Sequence, residues 1–588
     1  MNTSEQKNQN LSLKTNSSKK SFTFKKLLYI PKLLTRNEKK LALLLIVMIA
    51  LASVFFWVNE AGYKVNTIPV DGGHYTEAAV GEPEYINPIL SQIKDVDQDI
   101  SSLIFAGLLT YNKNHELTPS IAERYEISED KKNYTFFLRK DVKWSDGTPL
   151  TADDVVFTIQ MIKNPEVKSP LFSSFNSVAV EKLDDYTVKF TLTKDVYSPF
   201  LYENATFGIL AKHIWSEITP DALPLSELNL KPIGTGPYKF KEYKKDKKNG
   251  ALLSYTLERN PDYFGEKPRI EYITFTFFND WDMALEAYRK GDVLGISFIP
   301  EESKDLITDD FEKDINYYHL KLPRYYALFF NWSENPVLKE RNVRRAIAHT
   351  IDQERIINEA LDGEAYPVNT AILPNFMGHN PEIGAYEYNH DKAKEELEKA
   401  GWKVHEEDGM RYKDNQKLEF TLAVTDKQHF IDIAEIMSED LAAVGITMNI
   451  ESLDAQTLQT EYIMPRSYDA LLYGQLLLHD PDPYPFWHSS ARKEPGLNLT
   501  SYNNPTIDDL LETARKETDE NERVRKYLHF QNIMGEELPA IFLYSPTYLY
   551  SMSKKVHGAE LEYITLPPDR FAEIQSWYIK TKPVIVKE

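Results

Sequence analysis

FTLAVTDKQHFIDIAEIMSEDLAAVGITMNI, residues 420–450, is the stretch that decides the fold class. Phe420, Leu422 and Val424 alternate, the period of a strand with one buried face. Ile433, Ile436, Met437, Leu441 and Val444 then recur at the steps of one helix face, and Gly445 stands where a C′ residue would close that helix. Ile446, Met448 and Ile450 alternate again. Strand, helix and strand in this order predict a parallel pair of strands joined by a crossover helix.

The same grammar extends outward. Residues 391–400 predict a helix with Ala393, Leu397 and Ala400 inward, ended by Gly401. Tyr134–Leu138 and Thr187–Leu192 read as strands. Asp146-Gly147 is a turn signal, and Thr151 with Asp154 forms a capping box for a helix running through Ile162. The body is therefore α/β with several sheets. With 588 residues it has room for three to four domains. At 42% apolar and 27% charged residues it is not a disordered chain.

Charge and cysteine content exclude several classes. The net charge of −21 repels phosphate backbones, so no nucleic-acid partner is expected. The absence of cysteine removes disulfides, thiol nucleophiles, Cys-ligated zinc, iron–sulfur clusters and a lipid-modified cysteine.

Ten Lys and Arg against two Glu leave +8 on residues 1–40, so the remainder carries −29. Residues 41–58 (LALLLIVMIALASVFFWV) hold no charge and as a helix reach about 27 Å, close to a hydrocarbon core. They read as a transmembrane anchor. Residues 1–40 form a basic cytoplasmic stub, 59–73 a linker, and the rest lies outside the cytoplasmic membrane. The alternative is a signal peptide cleaved at Ala50-Leu51-Ala52. The long basic region and the apolar run continuing past Ala52 favour the uncleaved anchor.

Catalytic and cofactor motifs fail on their own terms. Gly234-Thr235-Gly236 lacks the remaining Gly, the Lys and the helix of a phosphate loop. Asp95-x-Asp97-x-Asp99 opens like a calcium loop, but Ile100 and Ala106 occupy the positions needing Gly and Glu. No zincin pair and no nucleophile elbow is present. Arg344 and Arg345 fall on a helix face, where a salt-bridged or solvated role is expected. No cofactor, no metal and no enzymatic activity are expected.

Six segments together resemble one family. They are residues 101–109 (SSLIFAGLL) with 117–123 (LTPSIAE); 136–157 (FFLRKDVKWSDGTPLTADDVVF); 234–238 (GTGPY) with 257–264 (LERNPDYF); 342–347 (NVRRAI) with Ile351-Asp352; 393–402, ending Ala400-Gly401-Trp402; and 480–483 (DPDP). In this order they resemble the extracytoplasmic solute-binding proteins of ABC importers, family 5, which includes oligopeptide- and dipeptide-binding proteins.

That resemblance implies a two-lobed, periplasmic-binding-protein-like flytrap of type II (cluster C) with an extra subdomain, closing over its ligand and delivering it to an ABC permease and its ATPase. It implies lobe I from 74–117, 234–327 and 540–588, an inserted subdomain at 118–233 and lobe II at 328–539. Residues 326–332 and 540–545 would cross the hinge, and a monomer is expected.

A peptide would lie extended between the lobes, held by main-chain bonds from the strand around Gly474, Gln475 and Leu476, with the first lobe contributing near Phe105. Tyr473, Trp332 and Trp487 are candidate aromatic walls. Peptide-binding relatives place an Asp three residues before an acidic–Pro pair, to hold the α-ammonium. Here His479 stands at that position and Asp480 is one place off. Either Asp480 serves with shifted geometry or the ligand is not a free-amine peptide. A metal chelate or an oligosaccharide on the same scaffold, and a sensor or chaperone without a permease, stay open as alternatives.

Overall fold

The architecture is that of a computed structural model, which describes residues 35–60, 63–113, 116–193, 200, 204–299, 313–374, 376–517 and 519–587. The strands Glu419–Thr425 and Thr447–Leu453 pair in parallel, Phe420 opposite Met448, and the helix Gln428–Ala442 joins them. Phe420, Leu422, Val424, Ile433, Met437 and Leu441 are buried together, as their periods require. Gly445 lies three residues past the helix at φ +85°, one position beyond the expected cap. A Cβ there would approach Arg411 Cγ to 2.9 Å.

This pair belongs to a twelve-stranded sheet, and one strand explains how it is organised. Ala540–Ser553 is 14 residues long. Its first half pairs antiparallel with Arg324–Phe330, Phe329 opposite Ala540 and Tyr326 opposite Tyr544. Its second half pairs with Ile315–Lys321, from Thr547 opposite Lys321 to Ser553 opposite Ile315. On the first side the order is Thr447–Leu453, Glu419–Thr425, Ala470–Leu476, Arg324–Phe330; on the second it is Gly295–Ile296, His74–Val80, Tyr272–Phe278, Leu252–Arg259, Tyr238–Lys245.

The chain thus passes between two sheet halves at Leu322-Pro323 and again at Ser545-Pro546. Proline cannot donate into a ladder, which suits both as crossing points. Ser545 Oγ donates to the Leu322 carbonyl at 3.1 Å, so the two crossings touch. Residues 326–330, expected to cross, pair wholly within the second half.

Each half has its own core. Arg324–Phe330 is buried on both faces, with Leu328 and Phe330 in one cluster and Tyr325, Ala327 and Phe329 in another, the mark of a central strand. Tyr75, Tyr255, Phe275, Tyr550 and Trp577 pack the first half. Inside it, Arg570 is fully buried between Glu77 and Asp99, at 2.5 Å from each. The Asp95-x-Asp97-x-Asp99 spacing therefore serves the helix Asp95–Ile104.

A separate four-stranded sheet, ordered Ala122–Ile127, Asn133–Leu138, Thr187–Leu192, Val178–Asp184, packs with the helix Ala152–Lys163 around Trp144. The capping box of Thr151 and Asp154 is present.

The helix Arg36–Glu60 carries the uncharged stretch, with Leu43, Ile46, Ile49 and Leu51 all more than half exposed. Among the described residues no helix is long and apolar enough to cross a membrane. Side chains of 54–60 and the whole of 1–34 lie outside the described residues, so the expected anchor at 41–58 is carried by the sequence alone. Tyr63–Val70 pairs with Lys580–Lys587.

Candidate functional site

The strand Ala470–Leu476 is built asymmetrically. One edge is fully paired with Arg324–Phe330: Tyr326 opposite Gly474, Tyr325 opposite Gln475, Arg324 opposite Leu476. The other edge pairs with Glu419–Thr425 only at Ala470 and Leu471. From Leu472 to Leu476 that edge has no strand partner among the described residues. An open edge offers main-chain N–H and C=O groups to an extended segment.

Side chains fix the strand beneath this edge. Gly474 is a glycine because the Tyr326 ring lies over it; an added Cβ would come within 2.7 Å of Cε1. Tyr326 in turn stacks on Tyr544 at 5.0 Å, beside the crossing. Gln475 is buried, accepts a hydrogen bond from Tyr325 Oη and donates to the Leu497 carbonyl at 3.2 Å. Tyr473 is half-buried against the core that holds Trp487. Leu476 and Leu478 are 41% and 46% exposed, an apolar surface at the strand's end.

The segment after the strand departs from the expectation. Asp480 is buried and pairs with Arg523 Nη2 at 2.6 Å, their side chains 2% and 5% exposed. Burial pushes its carboxyl up from the ordinary range while Arg523 opposes that shift. Asp482 is likewise held by Arg515, at 2.7 Å. The Asp-Pro-Asp-Pro run thereby staples the strand end to the helices Pro505–Lys516 and Glu520–Glu537. Asp480 thus already faces an internal cation, a different setting from an open amine pocket.

His479 points the other way. Its ring stacks on Tyr111, with centroids 4.1 Å apart and planes 3° off parallel, and its Nε2 lies 4.0 Å from Asp569 Oδ2. Tyr111 ends the strand Leu109–Tyr111, whose Leu109 packs in the core around Trp144, and Asp569 lies in the turn Pro567–Phe571, whose Phe571 packs in the first half's core.

Three expected site residues lie in packing positions. Trp487 is 1% exposed, within 6.1 Å of Phe329 and 5.9 Å of Phe542, in the core of the second half. Phe105 is buried in the first half's core, against Gly208. Trp332 is half-buried beneath the Arg344 guanidinium, 4.1 Å from its ring. Among the described residues Arg344 itself has no carboxylate ion-pair partner, and it is not solvated. It is buried and donates to the carbonyls of Leu338, Lys339, Glu537 and Leu538, and burial pushes it down to about 10. The structure therefore gathers Tyr473, Gly474, Gln475, Leu476 and His479 along one strand end.

A model of the bacterial extracellular solute-binding proteins, family 5, matches residues 116–496. The chain belongs to that family. Members are solute-binding proteins of ABC importers, not enzymes, and the fold is their two-lobed one, each sheet half with its own core forming a lobe. The oligopeptide-binding protein AppA of Bacillus subtilis is 30% identical over 564 residues, covering 92% of this chain and 99% of AppA. The solved structure of that AppA with a nonapeptide covers 87% of this chain and 100% of its own, at TM-score 0.62 and 29% identity. NikZ of Campylobacter jejuni in complex with Ni(L-His) covers 87% and 100%, at TM-score 0.65 and 27% identity.

Proposed function

We propose that this family 5 protein is a membrane-anchored receptor that captures peptides between its lobes and hands them to an ABC permease and its ATPase. The observation that carries the reading is the open edge at Leu472–Leu476, which suits β-addition of an extended main chain. Similarity to a nonapeptide-bound relative supports it. Gly474, Gln475 and Leu476 supply the main-chain contacts, Tyr473 a flanking wall, and the apolar Leu476 and Leu478 adjoin the ligand. Asp480, neutralised by Arg523, is not needed as an amine anchor.

The test is native mass spectrometry of the purified full chain, followed by denaturing release of what co-purifies. A ladder of short peptides is the expected result. A single metal chelate, of the kind bound in the NikZ structure, or an oligosaccharide would replace the reading. The anchor rests on residues 41–58 and the basic stub. Alkaline carbonate extraction should leave the protein with the membrane fraction, and its release would show a cleaved leader.

A further inference from the structure

Across the seam between the lobes, His479 of the second lobe meets two groups of the first. Tyr111, at the end of the strand Leu109–Tyr111, lies face to face with its ring at 4.1 Å. Asp569, in the turn Pro567–Phe571, presents Oδ2 4.0 Å from Nε2. That carboxylate is fixed in place, because Oδ2 accepts the backbone N–H groups of Thr565 and Leu566 at 2.9 and 2.8 Å. The His479 side chain is 11% exposed in this arrangement. Both of its partners leave when the lobes part, since each belongs to the opposite lobe.

We infer that His479 is a positioning residue for lobe closure: a latch on Tyr111 and Asp569 that tightens when the imidazole takes up a proton. An imidazolium stacked on a phenol ring gains cation–π attraction, and one facing a fixed carboxylate gains Coulomb energy in a partly desolvated seam. A neutral imidazole keeps the stacking and loses both of these gains. Histidine is the side chain that changes charge in the physiological range.

The charged neighbours on the same segments have counter-charges of their own. Asp480 and Asp482 on the same segment are held by Arg523 and Arg515. Arg570, next to Asp569, is committed to Glu77 and Asp99. Tyr563, which feels the Asp569 charge, is held neutral by burial. The latch rests on the two-lobed closure of the family and requires no particular ligand.

The absence of cysteine makes the test clean. Lys247→Cys and Glu406→Cys, on exposed loops of opposite lobes, carry a fluorescent pair on the full chain in detergent, without ligand. Lowering the pH from about 8 to about 5.5 should raise the closed-to-open ratio by about fivefold, the scale of one cation–π contact. His479→Ala should lose that response. Asp569→Asn should reduce it while keeping the stack, and Tyr111→Leu should shift the ratio toward open at both pH values. An undiminished pH response in His479→Ala overturns the latch. Because no ligand is present, that result would leave the peptide reading standing, and a non-peptide ligand would leave the latch standing.

Discussion

Asp480 shows what one buried charge does at the end of a binding strand. Its pair with Arg523 is nearly water-free, so removing either partner strands a charge, which costs about 3–5 kcal/mol in such settings. Asp480→Ala should therefore lower the urea midpoint strongly, while the folded fraction keeps its affinity for co-purified ligand. Asp480→Leu with Arg523→Met should recover most of the stability, since an apolar pair of similar volume avoids desolvation. A variant of normal stability with lost binding would return Asp480 to the site. Neither the Arg523 partner nor Tyr111 opposite His479 was legible in the sequence. Local spacing carries no information about which distant element supplies a counter-charge or a facing ring. Gly474 was legible as part of the ligand-side strand, but not the reason it is glycine, because Tyr326 comes from a different strand.

Elements were easier to read, because their periodicity is local. The strands and helix of residues 420–450 were visible from apolar spacing alone, and the helix after Thr151 from its capping box. The crossing points were not. Residues 326–330 are apolar throughout, and an unbroken apolar run says a strand is buried without saying in which lobe. The elements of the first lobe are pinned by Arg570, which joins the strand His74–Val80, the helix Asp95–Ile104 and the turn Pro567–Phe571 through Glu77 and Asp99. Burial pushes the Asp99 carboxyl up to about 6, with Arg570 opposing and Glu77 adding. Its value in the unfolded chain is about 3.9, so the folded chain holds the extra proton between the two. The stability from this site is complete below about pH 4 and is lost as pH rises through about 6, roughly 3 kcal/mol in all. Between about pH 4 and 7, the unfolding free energy of Asp99→Asn should fall less steeply than that of the native chain. Parallel curves would remove Asp99 as the titrating group.

At the scale of the whole molecule, the two crossings decide what can move. Among the described residues the chain passes between the sheet halves only at Leu322-Pro323 and Ser545-Pro546, and these are hydrogen-bonded side by side. Two adjacent strand crossings resist separation of the lobes but bend readily, the geometry of a hinge. Each lobe has its own buried core, so the closure that the proposed function requires would move two rigid bodies without repacking either. A ligand shifts such an equilibrium only by its differential affinity for the closed form; in the proposed reading, a main chain laid along Leu472–Leu476 would gain the first lobe's contacts only when the lobes meet. Re-adding the co-purified ligand should therefore compact the full chain in small-angle scattering, with no change in far-ultraviolet circular dichroism. Compaction with a changed helix signal would point to folding on binding instead. An unchanged scattering profile at saturation would mean that the ligand is held by one lobe, and that the seam at His479 closes independently of it.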